Sequence, residues 1–442
     1  MAKAPPAAVV PVPARAPNVI LILADDVGVE GFSVYGGANP TPNIARLASQ
    51  GATFDNAHST PLCSPSRTRL MTGIENAKNY DAFGYLAPNA RTFAHMFKEA
   101  GYTTGIVGKW QLGGNGFDGL TGITPKGAGF DESLLWQERA GTQKGSRYWG
   151  PTLSLNGLPK INEEGFGPDL MNDFALDFLS RNKDRPFFLY YPMVLPHDPF
   201  VVTPATLDAK GPQQKFGGMV AYLDRLVGTV MTRLHDLGID DNTLVIFTAD
   251  NGTSQLIVNV RGGVSVKGGK GLPTLNGTHV PMIVRWPGKV PAGVRRSGLL
   301  DFVDVLPTMA EATGLKAFPG LDGVSQWPVV RGSKASARPW IFEHYAPRWV
   351  NRPARFVFDE TRKLYGDGRY VALNPATGEE TPLDPATKAE RAHRDALQRV
   401  LDTRGDGPLD PTRFPWCAGE TSTDPALPAT VAGCGRNVNA VD

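Results

Sequence analysis

A chain of 442 residues is long enough to bury a large core and to hold one large and one small domain. A formal net charge of +2, with ordinary apolar and charged fractions, carries no electrostatic footprint for nucleic acid or an anionic membrane. The longest apolar stretch near the start, Val19 to Ala24, falls far short of the roughly 20 residues that cross a bilayer, so no membrane span is expected.

Residues 1–17 are rich in Pro and Ala, lack the zones of a signal peptide and read as a flexible lead-in. Strands are expected at Val19–Ala24, Thr103–Val107, Phe187–Pro192, Thr243–Thr248 and Val280–Trp286, with Pro281 holding the last to an edge or start position. Between them, Thr41-Pro42 opens a helix ending before Gly51, and Thr92 caps one ending at Gly101. Pro168 begins another, whose Leu170, Met171, Phe174 and Phe178 repeat at helical spacing. This rhythm predicts an α/β fold with a large mixed, mostly parallel sheet sandwiched by helices. Beyond Gly332 the apolar runs shorten, and Arg355–Asp359 and Tyr370–Leu373 suggest a short antiparallel sheet around a charged turn. The expected division is a catalytic domain over 18–325 and a smaller α+β subdomain with a loop-like tail over 326–442. In that tail Cys417 and Cys434 lie close together; a disulfide there favours a periplasmic or secreted protein, and two free thiols a cytoplasmic one.

In open α/β sheets the ligand crevice lies beyond the carboxyl ends of the strands. Four predicted strand ends carry polar residues: Asp25-Asp26, Lys109, His197 and Asp250-Asn251. One such aspartate is often only a helix cap, but four loaded ends are expected to converge. Three carboxylates and an amide make a hard oxygen cluster suited to calcium, or to magnesium or manganese in second place. A cation also explains how these carboxylates can stay ionised together.

The segment Cys63-Ser64-Pro65-Ser66-Arg67 is the sharpest local signal. Ser64 can cap a helix and Pro65 can occupy its first turn, which leaves position 63 at an amino end that favours an anion. Arg67 follows about one turn later with a guanidinium able to fix an oxygen at position 63. These residues resemble the Cys-x-Pro-x-Arg signature of the formylglycine-dependent sulfatases of the alkaline phosphatase superfamily. The resemblance extends over about residues 17–330 through Pro17-Asn18-Val19-Ile20, Thr41-Pro42-Asn43-Ile44, Gly108-Lys109-Trp110, Pro196-His197, Thr248-Ala249-Asp250-Asn251-Gly252 and the Lys270 to Gly288 stretch.

The resemblance implies hydrolysis of a sulfate monoester on a small molecule or carbohydrate, after a maturation enzyme oxidises Cys63 to formylglycine. The hydrated aldehyde would attack sulfur and divide the displacement into two steps. Asp25, Asp26, Asp250 and Asn251, with residue 63, would hold the metal; Lys109 and Lys270 would grip sulfate oxygens, and His197 would serve the leaving oxygen. Lys267 is a neighbouring rival to Lys270, whose distance to Val280-Pro281 fits the family pattern better.

Two positions depart from that pattern. Gln111 stands where many sulfatases carry a histidine; it can hydrogen-bond to residue 63 but cannot take a proton. Leu275 and Asn276 replace an acidic residue and small neighbours, and His279 beside them is either a partial substitute for the histidine or a structural loop residue. Trp110, Trp136, Tyr148 and Trp149 can either stack on a sugar or aryl group or pack the loops. Rival functions are a phosphonate monoester or phosphodiester hydrolase of the same superfamily, and a silent anion-binding relative.

Overall fold

The computed structural model describes residues 16–114, 120–138, 145–161, 164–346 and 354–404. Among these, the strands in chain order are β1 (Asn18–Ala24), β2 (Ala52–His58), β3 (Thr103–Lys109), β4 (Glu132–Trp136), β5 (Thr152–Leu155), β6 (Leu158–Ile161), β7 (Phe187–Pro192), β8 (Thr243–Ala249), β9 (Val258–Arg261), β10 (Val264–Lys267), β11 (Met282–Arg285) and β12 (Val294–Asp301). A further group comprises β13 (Ile341–Tyr345), β14 (Ala354–Phe358), β15 (Arg362–Tyr365), β16 (Tyr370–Asn374) and β17 (Glu379–Pro382).

Ten strands form one sheet in the order β12-β2-β11-β8-β1-β7-β3-β4-β5-β6. Its centre is parallel: β1 lies between β7 and β8, and β3 between β7 and β4. Every residue of β1 is buried, as expected of an apolar run covered on both faces. β11 runs antiparallel between β8 and β2, and the β5–β6 hairpin closes one edge in the same sense. Helices flank this sheet, including Pro42–Ser49, Phe93–Glu99, Gly167–Asn182 and Gly211–Asp236. The fold is the mixed α/β sheet that the sequence predicts, with a separate five-stranded antiparallel sheet, β13-β14-β15-β16-β17, towards the C-terminus.

Several expectations are refined. The Val280–Trp286 strand is shorter and sits inside the sheet, beginning after Pro281, where a missing N–H costs no ladder bond. The fully buried stripe of Gly167–Asn182 includes Met171, Ala175, Phe178 and Leu179, while Leu170 and Phe174 are only partly covered. Gly105 on β3 makes room for this helix, since a β-carbon there would meet the Phe178 ring at 2.7 Å. The charged turn expected between the two C-terminal strands contains a strand of its own, β15. Its charged sequence conceals it because Lys363 is buried, its ammonium 4.0 Å from the Phe356 ring centre and bonded to Glu380. Cys417 and Cys434 lie outside the described residues.

Candidate active site

The C-terminal ends of β1, β3 and β8 deliver the predicted residues to one place. Asp25 and Asp26 follow β1, Lys109 ends β3 and Asp250 and Asn251 follow β8; all are buried. The Lys109 ammonium bonds both Asp25 carboxylate oxygens, at 3.1 and 3.0 Å. Asp250 accepts from the Asp26 N–H at 3.0 Å, which rules out a simple helix cap as its role. Lys270 bonds Asp26 at 2.6 Å and also lies 3.1 Å from His197 Nε2. Two of these strand-end residues, Asp26 (φ 67°) and Gln111 (φ 52°), hold left-handed backbones uncommon for non-glycine side chains.

Cys63 is the first residue of the helix Cys63–Thr72. Leu62, not Ser64, occupies the cap position, and the Ser64 hydroxyl instead accepts the Gly84 N–H at 2.7 Å. Pro65 sits in the first turn, where its missing N–H costs nothing. The Cys63 thiol reaches Gln111 Oε1 at 3.4 Å. Burial pushes this thiol up to about 12, with Lys109 pulling the other way, so the thiolate is strongly disfavoured. Arg67 does not engage residue 63. Its guanidinium forks onto Asp250 at 3.0 and 2.8 Å and donates to the Lys109 carbonyl at 3.3 Å, because the buried carboxylates outcompete a neutral thiol for it.

The charges around this site pull the carboxyls apart. Burial would raise Asp25, but Lys109 and Arg67 outweigh it and hold this carboxyl below the usual range. Burial raises Asp26 despite Lys270, and burial with repulsion from Asp25 pushes Asp250 up to about 7. Such a set calls for a further cation. Asn251 supports that inference: its amide nitrogen bonds Asp26 at 2.8 Å, while its buried oxygen has no hydrogen-bond partner among the described residues. A neutral oxygen left bare among carboxylates suits a hard divalent ion. Ligand atoms of Asp25, Asp26 and His197 also lie within 4.8 Å of one another. The oxygen-rich set Asp25, Asp26, Asp250 and Asn251 could hold such an ion, hard oxygen donors suiting it better than the imidazole of His197.

His197 Nδ1 faces the Asp198 carbonyl at 2.6 Å; a carbonyl only accepts, so Nδ1 carries the hydrogen and Nε2 accepts from Lys270. Burial, then Lys270 and Arg147, hold this imidazole well below its ordinary range and keep it neutral. His279 donates from Nε2 to the Asp55 carbonyl at 2.7 Å and stacks on His58, a structural arrangement. Trp110, Trp136 and Tyr148 are buried, whereas Trp149 is 41% exposed.

Sequence reading missed how the second sheet holds the Lys270 loop. Gly271 donates to the Pro61 carbonyl at 2.8 Å and accepts from the Tyr345 hydroxyl at 2.9 Å. Tyr365 donates to the Pro273 carbonyl at 2.8 Å, and Glu380 accepts the Leu275 N–H at 3.1 Å. Leu62 packs with Tyr345, Ile341 and Phe356, tying the residue before Cys63 to the same sheet. An alternation of Phe, Tyr and Glu within β13 to β17 was the available signal, but it does not reveal its partners.

Acidic pairs, buried cations and a helix start gathered at the ends of parallel strands are the frame of a hydrolase for esters of tetrahedral anions. The sulfatase family model matches residues 17–315, and the chain belongs to that family, the hydrolases of sulfate esters. It is 32% identical to arylsulfatase A of Homo sapiens over 425 residues, covering 85% of this chain and 79% of that protein. It is also 32% identical to N-acetylgalactosamine-6-sulfatase of Canis lupus familiaris over 362 residues, covering 74% of this chain and 68% of that protein. The solved structure of Ps i-CgsB in complex with k-i-k-neocarrahexaose aligns with a TM-score of 0.73 at 25% identity, covering 89% of this chain and 94% of that one. No helix among the described residues is long and apolar enough to cross a membrane.

Proposed function

We propose that this sulfatase acts on the sulfate monoester of a carbohydrate or aryl alcohol, through a formylglycine made from Cys63 and a calcium ion held by Asp25, Asp26, Asp250 and Asn251. The observation that carries this reading is the placement of residue 63 at a helix start, 3.4 Å from Gln111, beside cations already paired with three buried aspartates. When present, the ion supplies positive charge to the sulfate oxygens and the hydrated aldehyde supplies the nucleophile, a role that a thiol held near 12 does not fill. Lys109 and Lys270 receive sulfate oxygens as point charges, and Arg67 fixes Asp250 and the Lys109 backbone. Neutral His197, its tautomer set by Asp198, presents Nε2 towards Lys270 and relays a proton between that ammonium and the departing alcohol. Gln111 orients residue 63 by hydrogen bonding and leaves proton transfer to water. The carbohydrate sulfatase names among the relatives favour a sugar ester, and an exported, periplasmic or secreted setting fits that class of substrate.

Rates on 4-nitrophenyl sulfate and 4-nitrophenyl phenylphosphonate, measured side by side, test the reading. The sulfate is expected to have the higher kcat/KM; the reverse order assigns the chain to phosphonate esters. An unmodified residue 63 in a protein that binds sulfate without turnover identifies a silent anion-binding relative. Metal removal gives a second expected result. Dialysis against a chelator should abolish turnover and lower Tm, and calcium should restore both better than magnesium. A site filled at a hundred times its Kd stabilises the fold by about 2.7 kcal/mol. The Tm response should vanish in Asn251→Ala, and a Tm indifferent to both ions would remove the metal from the proposal.

A further inference from the structure

The aspartates beside residue 63 pair directly with Arg67, Lys109 and Lys270, and a further cation stands close by without a direct ion pair among the described residues. Arg147 lies in the loop between β4 and β5, 4% exposed, its guanidinium stacked 3.9 Å over the Trp136 ring. Trp136 is the residue of β4 that pairs with Lys109 of β3, so the stack sits beside the catalytic strand end. Arg147 Nη1 is buried with no hydrogen-bond partner, and no carboxylate among the described residues lies within ion-pair distance. Stacking on indole returns on the order of 2 kcal/mol, less than the several kcal/mol that an unpaired buried charge costs. Among the described residues nothing supplies the anion that such a guanidinium calls for. The next residue ties this loop to the His197 segment: the Tyr148 hydroxyl donates to the Val194 carbonyl at 2.8 Å and lies against the His197 carbonyl. The backbone at Arg147 is thereby held near the His197 segment. Its field reaches both His197 and Asp25. Gln137, immediately after Trp136, has a left-handed backbone (φ 55°) and a buried amide oxygen likewise lacking a partner.

From this arrangement we infer that Arg147 binds a second anionic group, a carboxylate or a further sulfate, carried by the alcohol portion of the substrate. A sulfate monoester bears a single negative charge, which Lys109 and Lys270 already serve; an additional buried guanidinium on the alcohol side selects polyanionic esters. This deepens the sulfatase reading and rests on it. The planar fork of arginine suits either oxyanion, and Trp136 holds that plane in place.

The test compares kcat/KM of the metal-loaded, matured enzyme for a monosulfated N-acetylhexosamine, its disulfated counterpart, and a disaccharide joining the monosulfated sugar to a uronate. At least one of the two polyanions should exceed the monosulfated sugar by about tenfold, mainly through KM, which corresponds to one charge-assisted contact. Which one does so distinguishes a second sulfate from a carboxylate. Arg147→Gln should collapse that ratio towards one, and Arg147→Lys should keep part of it. A parent enzyme without preference, or an Arg147→Gln variant that loses equally on all three sugars, overturns the inference. Calorimetric titration of Cys63→Ala and of Cys63→Ala/Arg147→Gln with the same polyanions keeps the two readings separable. Absent turnover by the parent counts against the sulfatase reading alone, whereas equal Kd values for the two variants count against Arg147.

Discussion

Exchange of Cys63 for alanine is expected to abolish turnover while leaving the fold intact. Removing a covalent nucleophile typically costs about 10³- to 10⁶-fold in kcat. The structure adds a sharper form of the expectation. Burial holds the unmodified thiol near 12, so protein that retains cysteine at position 63 should be as inactive as the alanine variant. Specific activity across preparations should then rise in proportion to the fraction of residue 63 in which oxygen has replaced sulfur, as read by peptide mass. The side chain is only 1% exposed and its hydrogen bond among the described residues is to Gln111, so alanine leaves a small cavity and a lost contact. Turnover within about tenfold of the parent, in either the alanine variant or unmodified protein, would move the chemistry to another group.

Arg69→Ala should destabilise the protein by about 3–5 kcal/mol, the cost of stripping one partner from a buried ion network. Arg69 lies two residues beyond Arg67 on the same helix but points the other way. It bonds Glu343 of β13 at 2.8 Å, the Phe342 carbonyl at 2.9 Å and Asp301 at the end of β12. All three side chains are buried, so alanine removes the hydrogen-bond donor to Glu343 and leaves Asp301, among the described residues, with Arg338 3.5 Å away as its remaining direct cation. Glu343→Gln supplies the contrast. Burial, opposed by Arg69, pushes this carboxyl up to about 8, so its neutral form is already favoured near neutral pH. The amide should therefore cost only about 1 kcal/mol. Urea unfolding of the three proteins measures both effects; equal losses would show that the helix, rather than the charge pairing, carries the stability.

Much of this was legible in the sequence because parallel strands announce themselves. Apolar runs such as those of β1, β7 and β8 are buried on both faces, and the polar residue that stops each run marks the crevice. Asp25, Lys109, His197 and Asp250 could be named for that reason. β2 and β12 are hidden in the sequence because partial exposure breaks their apolar pattern with Asp, Asn and Arg, and β4 because its apolar run is only three residues long. Partners were harder to foresee than positions. The fork of Arg67 on Asp250 joins residues 183 apart, and Arg69 meets Glu343 across 274; neither distance leaves a local trace. Arg147 stands in a run of Arg, Tyr and Trp, and only the stack on Trp136 reveals a buried guanidinium without a direct ion pair among the described residues.

The strap from Gly271 to Leu275 has its own bearing on how the enzyme comes into being. Its anchors, Tyr345, Tyr365 and Glu380, emerge during synthesis long after the ten-stranded sheet has all its strands. A nascent chain released at the end of β12 would own every aspartate and both lysines, yet nothing from the small sheet would hold the second lysine on station. Full anchoring of that loop thus waits on a segment synthesised well after it.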